Sequence, residues 1–186
     1  MPQGVHSDSY DIALGPQWKV AWPGGQGLAR YLLDHPGEIS GRSALDLGCG
    51  GGVASIAACM AGARRLIAVD KDEQALSACR SNLQRQGFAA PEHAIELCKI
   101  TDLTDFRPEV EILLLSEVLY TAGLRAAIIP WILSMLEAGC TMLLGERVQE
   151  GLDALPLELA ARYEVTGKNL AGRPKSYSAF VWRAEG

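Results

Sequence analysis

The sequence is poor in the features that mark specialised proteins. It has three histidines and five cysteines, and no Cys-x-x-Cys pair. Cys49, Cys59, Cys79, Cys98 and Cys140 are odd in number and widely spaced, which fits neither a disulfide framework nor a zinc site. They read as buried free thiols in a reducing compartment, and Cys49, set in a glycine loop, is the one to watch. His6, His35 and His93 have no metal-like neighbours, so no metal is expected and no catalytic role is assigned to them. No Lys or Arg precedes Lys19, so no charged region leads into an apolar stretch and no secretory signal is expected. The longest apolar run, Val53 to Ala63, is too short to span a bilayer and contains Ser55. Basic residues are in deficit, 17 against 22 acidic ones for a net charge of −5. That leaves no basic face for nucleic acid. The expectations are a cytoplasmic protein, with nothing demanding more than a monomer, that acts on a small molecule or on a basic segment of a partner protein.

What remains is an ordinary globular balance. The chain has 186 residues, 48% hydrophobic and 21% charged, about one domain's worth. We read one domain over 1–186, with 1–40 as a flanking or lid segment and 41–186 as the core. Short apolar runs alternate with helical stretches, which argues for parallel strands joined by helical crossovers. Ser43–Leu47, Leu66–Asp70, Ala94–Cys98, Val110–Leu115 and Thr141–Leu144 read as five strands. Helices are expected over Val53–Ala61, from Asp72 to Gly87, over Leu124–Leu136 despite Pro130, and over Leu152–Ala161 with an early break at Pro156. Tyr163–Thr166 and Ser178–Trp182 have no helix between them and should pair antiparallel. The fold class is therefore α/β: a Rossmann-like, doubly wound, seven-stranded sheet, mostly parallel with a C-terminal antiparallel hairpin.

Asp46-Leu-Gly48-Cys-Gly50-Gly-Gly52 follows the first strand and opens a helix. Glycines there let the chain turn sharply and approach a ligand closely. Asp70, ending the second strand about 20 residues on, is placed to accept both hydroxyls of a ribose. Dinucleotide enzymes share this layout, but they ask for a third glycine where Val53 stands. They also bring a pyrophosphate, which Asp46 would repel. A cofactor with a cationic sulfonium and an ammonium group welcomes that carboxylate, and so S-adenosylmethionine is favoured over a nicotinamide.

Asp46-Leu-Gly-x-Gly with Asp70 resembles the cofactor motif of class I, seven-stranded methyltransferases. The segment Trp18-Lys-Val-Ala-Trp22-Pro-Gly-Gly-Gln26-Gly-Leu-Ala-Arg30-Tyr-Leu-Leu-Asp34 is similar to one in the electron-transfer flavoprotein β-subunit lysine methyltransferase group and its bacterial relatives. Ser116-Glu117-Val-Leu-Tyr120 resembles the Asp/Glu-x-x-Tyr/Phe motif of the wider group that methylates lysine, and sometimes histidine, in proteins. The likeness spans residues 18 to 148. The stretch Glu146-Arg147-Val148 departs from it in lacking a proline-bearing loop. The resemblance implies that Asp46, Gly48, Gly50 and Asp70 hold the cofactor, with Trp22 against its methionine end and Asp102 near the adenine amino group. It implies that Glu117 and Tyr120 line the acceptor channel, and from there Glu117 is expected to attract and orient an acceptor amine while Tyr120 closes the channel. The expected partner is a lysine-bearing protein, with the flavoprotein β-subunit first in line.

Other readings of these residues stay open at this point. Trp22 also fits a packed aromatic, Asp102 a turn cap with Thr101 and Thr104, Glu117 a solvated strand-end acid and Tyr120 a core side chain. A histidine or small-amine acceptor, a nicotinamide-dependent oxidoreductase and a non-enzymatic cofactor-binding module are the rival functions. The loop Lys168 to Lys175, with Arg173 between, reads as a solvated hairpin tip, with contact to an acidic partner as the alternative.

Overall fold

The computed structural model describes residues 17–88, 93–147, 151–168 and 174–186. His6, Val148 and most of the loop from Lys168 to Lys175, Arg173 included, lie outside the described residues.

Seven strands form one sheet in the order β3-β2-β1-β4-β5-β7-β6. They are β1 (Ser43–Leu47), β2 (Arg65–Asp70), β3 (Ile95–Lys99), β4 (Ile112–Ser116), β5 (Thr141–Glu146), β6 (Glu158–Lys168) and β7 (Pro174–Glu185). The first five are parallel, and β7 runs antiparallel between β5 and β6. β1 and β5 are buried along their whole length. Strands covered on both faces read as unbroken apolar runs, which is why they were legible.

Among the described residues four α-helices flank the sheet: α1 (Pro23–Asp34), α2 (Val53–Met60), α3 (Glu73–Arg85) and α4 (Ala122–Glu137). Leu28 and Leu32 of α1, Ala57 and Ala58 of α2, and Leu76, Cys79 and Leu83 of α3 share one core with Ala44, Leu66, Ile112 and Leu114 of the sheet. Trp131, Ile132, Met135 and Leu136 of α4 pack on the opposite face with Leu45, Leu113, Leu115 and Met142. The windings follow local chemistry. The Asp72 side chain accepts from Gln74 N–H (2.8 Å) and so caps α3. Thr121 Oγ1 does the same for Leu124 N–H (3.1 Å) at α4.

The structure departs from the sequence reading in two elements. No helix forms over Leu152–Ala161: Leu152 and Leu155 are buried in a turn, and β6 begins at Glu158. Pro156 brings no N–H for a helix, whereas strand pairing to β7 satisfies the backbone from Glu158 to Lys168. The second departure concerns the segment read as a flank or lid. Within it α1 is a core helix, with Leu28 and Leu32 fully buried.

β7 has two neighbours over only part of its length. Phe180–Glu185 pair with β5 on one side, Arg183 back to Pro174 pair with β6 on the other, and from Ala179 back to Pro174 the strand pairs with β6 alone. Because Phe180 stands opposite Glu146, the last residue of β5, the remainder forms a two-stranded ribbon. It runs past the carboxyl edge of the parallel strands.

Candidate active site

At the carboxyl edge of the parallel strands the chain encloses a cleft of about 1030 Å³. It lies where β1 and β4 wind in opposite directions, the position at which open α/β sheets bind ligands. That volume is at the upper end of what small-ligand sites occupy, so there is room for a cofactor and an acceptor side chain together.

The floor is the glycine loop. Gly48, Gly50 and Gly52 have φ of +70°, +53° and +84°, values open to glycine at little cost. A Cβ on Gly48 would also lie 2.7 Å from Val118 Cγ1. The loop is pinned from outside. Gly48 and Cys49 N–H donate to Val69 O (2.9 and 3.0 Å), Gly50 N–H donates to Asp70 Oδ2 (3.0 Å), and the Asn82 amide donates to Gly51 O (2.9 Å). Asp70 accepts a second bond, from Asp72 N–H to Oδ1 (2.9 Å). A carboxylate has about four acceptor sites, so two remain for vicinal hydroxyls.

Asp46 is placed differently. It is 1% exposed and is not among the residues lining the cleft. Its Oδ2 accepts from Ser55 Oγ (2.6 Å), while Oδ1 is buried with no partner. Burial pushes its pKa up to about 6, opposed by the Ser55 hydrogen bonds. An orphaned carboxylate oxygen beneath a glycine cradle suits a ligand bearing a positive charge, and suits a pyrophosphate poorly. Ser55 had a sequence signal, as a polar residue inside the alanine-rich run of α2.

Trp22, the N-cap of α1, and Trp18 form one wall of the cleft, and Asp102 and Thr104 form part of another. Asp102 does cap a turn: its Oδ1 accepts from Thr104 N–H (2.8 Å) and Thr104 Oγ1 (2.7 Å). Those bonds hold its pKa below the usual carboxylate range. The turn and the cleft-lining position coexist. Cys49 also lines the cleft, but its thiol, hydrogen-bonded to the free thiol of Cys79 and buried, has its pKa pushed far up, so it is no ready nucleophile.

The far wall carries Glu117 and Tyr120, both lining the cleft, with Tyr120 37% exposed. Glu117 follows β4 with φ of +51°, a left-handed conformation that costs a non-glycine residue about 1–2 kcal/mol. Its N–H donates to Gly145 O (3.1 Å). Its Oε1 accepts from Gly24 N–H (3.0 Å), in the first turn of α1. The free N–H groups and partial positive charge of a helix N-terminus favour an anion there. Two glycines permit this approach, since a Cβ on Gly24 or on Gly145 would collide with the other's carbonyl oxygen.

Sequence reasoning missed one acid. Glu146, at the end of β5, is 3% exposed, and its carboxyl is in hydrogen-bond contact with that of Glu117. Desolvation raises the pKa of both, and the neighbouring Glu117 charge adds to the rise at Glu146. Its sequence setting, an acid ending an apolar strand, looked like that of any strand-end carboxylate.

Among the described residues, no group of His, Cys, Asp and Glu could hold a metal ion, and no helix is long and apolar enough to cross a membrane. The cleft therefore gathers Trp22, Gly48, Gly50, Asp70, Asp102, Glu117 and Tyr120 in one place, with Asp46 beneath the floor.

Comparison with known proteins agrees with this layout. Residues 31–121 match the family profile of the ribosomal protein L11 methyltransferases (PrmA). The electron transfer flavoprotein beta subunit lysine methyltransferase of Danio rerio is 36% identical over 132 residues, which cover 70% of this chain and 50% of that protein. The chain thus spans about half the length of the curated relatives it matches. In fold it resembles the magnesium protoporphyrin IX methyltransferase of Synechocystis, solved with bound S-adenosylmethionine (TM-score 0.65, 17% identity, 96% of this chain and 89% of that one). It also resembles the ribosomal protein L11 methylase of Lactobacillus delbrueckii (TM-score 0.59, 17% identity, 83% and 75%). Sheet order, glycine loop, strand-end acid and these likenesses converge on one assignment: the chain belongs to the class I, S-adenosylmethionine-dependent methyltransferases.

Proposed function

We propose that this chain methylates the side-chain amine of a lysine in a protein partner, with S-adenosylmethionine as methyl donor. The observation that carries the reading is Glu117: a carboxylate on the cleft wall, held at the N-terminus of α1 by Gly24 N–H, with Tyr120 beside the same cleft.

The residues present fit the donor. The backbone of Gly48 and Gly50 would lie under it, Asp70 would accept from its ribose, Asp102 would stand near its base and Trp22 near its methionine end. Asp46, beneath the floor, would face its positive charge. When bound, S-adenosylmethionine supplies an activated methyl group on a cationic sulfur. The chain's own task is then alignment and control of the acceptor's charge. A lysine amine has an ordinary pKa near 10.4 and arrives protonated. Glu117 attracts that ammonium into the cleft and orients it, and Tyr120 excludes water around it. Desolvation in the cleft lowers the amine's pKa, so the ammonium gives up its proton to solvent and its lone pair is free to take the methyl group. The similarity to flavoprotein β-subunit lysine methyltransferases supports a protein acceptor, and the β-subunit is the first candidate.

Calorimetry with S-adenosylmethionine, S-adenosylhomocysteine and NAD, on the protein and its Asp70→Ala variant, tests the donor. The first two should bind, and the variant should lose both. Glu117→Ala should then abolish turnover while leaving S-adenosylhomocysteine affinity within about threefold of the parent. A fully active variant would sink the role given to Glu117. Mass spectrometry of a lysate incubated with the enzyme should show methyl-lysine; label confined to histidine or to small molecules would overturn the lysine reading.

A further inference from the structure

The structure holds a second carboxyl behind Glu117, and the reaction as described above does not use it. Glu146 is 3% exposed and does not line the cleft, so it does not meet the acceptor. Pairing of Ser116 with Gly145 in the sheet sets the two acids side by side at adjoining strand ends. Leu119 N–H donates to Glu146 Oε1 (3.4 Å), and the carboxyls of Glu146 and Glu117 are in hydrogen-bond contact. Two carboxylates this close in a dry site cannot both be ionised, so one of them keeps a proton. The more buried of the two is the one that keeps it, because desolvation penalises its charge more. Arg147 is the charged group that faces both, and it favours ionisation of each.

We propose that Glu146 is the positioning residue of the acceptor site: its neutral carboxyl donates a hydrogen bond to Glu117 and fixes the direction in which Glu117 presents its carboxylate. The assignment of what Glu117 receives rests on the lysine reading above; the Glu146–Glu117 bond does not. Glu117 is then held from two sides, by Gly24 N–H on Oε1 and by Glu146. Both contacts favour its charged form and oppose the desolvation that raises its pKa. Its left-handed backbone is tolerable because both ends of the side chain are fixed.

A glutamine can make both bonds of Glu146 at once, its amide NH2 donating to Glu117 and its oxygen accepting from Leu119 N–H. A methionine of similar volume can make neither. Two measurements follow, with S-adenosylhomocysteine affinity as the control for folding. First, the side-chain carboxyls of 13C-glutamate-labelled protein are titrated by NMR, without any acceptor. Glu146 should remain protonated at pH 7, and in Glu117→Gln its midpoint should fall by at least one pH unit. Second, kcat is measured against pH with electron-transfer flavoprotein β-subunit as acceptor. Glu146→Gln should keep kcat within about threefold and keep its acid limb in place. Glu146→Met should lose at least tenfold in kcat, with the acid limb displaced upward and KM for S-adenosylmethionine little changed.

An ionised Glu146 at pH 7, a Glu146→Met enzyme with the parent's kcat and pH profile, or a Gln variant as impaired as the Met one would each overturn the proposal. If the titration behaves as expected but the parent methylates no lysine, the acceptor assigned above is wrong and the Glu146–Glu117 bond stands.

Discussion

At the scale of single residues, Asp46 shows a site held at the expense of the fold. Its pKa is pushed up to about 6, chiefly by desolvation, against an unfolded value near 3.9. The native state therefore holds the proton more tightly than the unfolded chain. The stability this gives is complete below about pH 4 and is lost as pH rises through about 6. At pH 8 the ligand-free protein carries a buried charge whose cost is roughly 2–3 kcal/mol at a little over 1 kcal/mol per pH unit. Asp46→Asn should therefore raise the urea-unfolding free energy of the ligand-free protein at pH 8 by about 1–3 kcal/mol. At pH 4 it should change little, and affinity for S-adenosylmethionine should weaken at either pH. Equal effects at both pH values would mean that the gain is packing rather than relief of charge. A cationic ligand reverses the account, since its charge is what an ionised Asp46 lacks.

At the scale of elements, the informative contact is α1 against β5. Gly24 and Gly145 let two backbones touch, and that closeness carries Gly24 N–H to Glu117. Gly24→Ala should cost about 1–3 kcal/mol through overpacking and should also lower turnover, because the helix terminus retreats from the carboxylate. Gly123→Ala is the contrast. Nothing lies within 4 Å of a Cβ there, it sits inside α4, and it should gain up to about 1 kcal/mol, both changes being read by urea denaturation. This contact also explains what was legible in the sequence. β2, β4 and β5 could be read because strands buried on both faces are continuous apolar runs, and the glycine loop because strand, turn and acid arrive in order. α1 was hidden because Gly24, Gly25 and Gly27, which look like loop, are the residues that let a helix lie close on β4, β5 and β7. The helix expected at Leu152–Ala161 had helical spacing in Leu152, Leu155 and Leu159. Yet Leu159 stands 52% exposed on a strand, since pairing with β7 outweighed local period. Glu117 and its cleft were readable from a motif. Glu146 was not, because its partner sits on a neighbouring strand and nothing local marks it.

At the scale of the whole molecule, the sheet is uneven. Three helices cover one face and one the other among the described residues, and the cleft, the glycine floor and both acids lie along a single edge. Past that same edge runs the ribbon of β6 and β7, about 20 Å long for six residues of strand. Beyond Ala179, which packs on Gly27 of α1, the two strands have only each other as sheet partners, an arrangement that is marginally stable. β7 thus crosses from a region fastened on both sides to one fastened on a single side, and its amides should report the crossing in hydrogen exchange. Amides of Val181–Arg183 are expected to exchange at least tenfold more slowly than the hydrogen-bonded amides of Lys175–Ser178, whatever the cleft contains. Uniform protection along β7 would contradict this. Such a gradient gives one strand two lifetimes: the inner half opens only when the sheet does, and the outer half can open many times while the rest of the sheet stays paired.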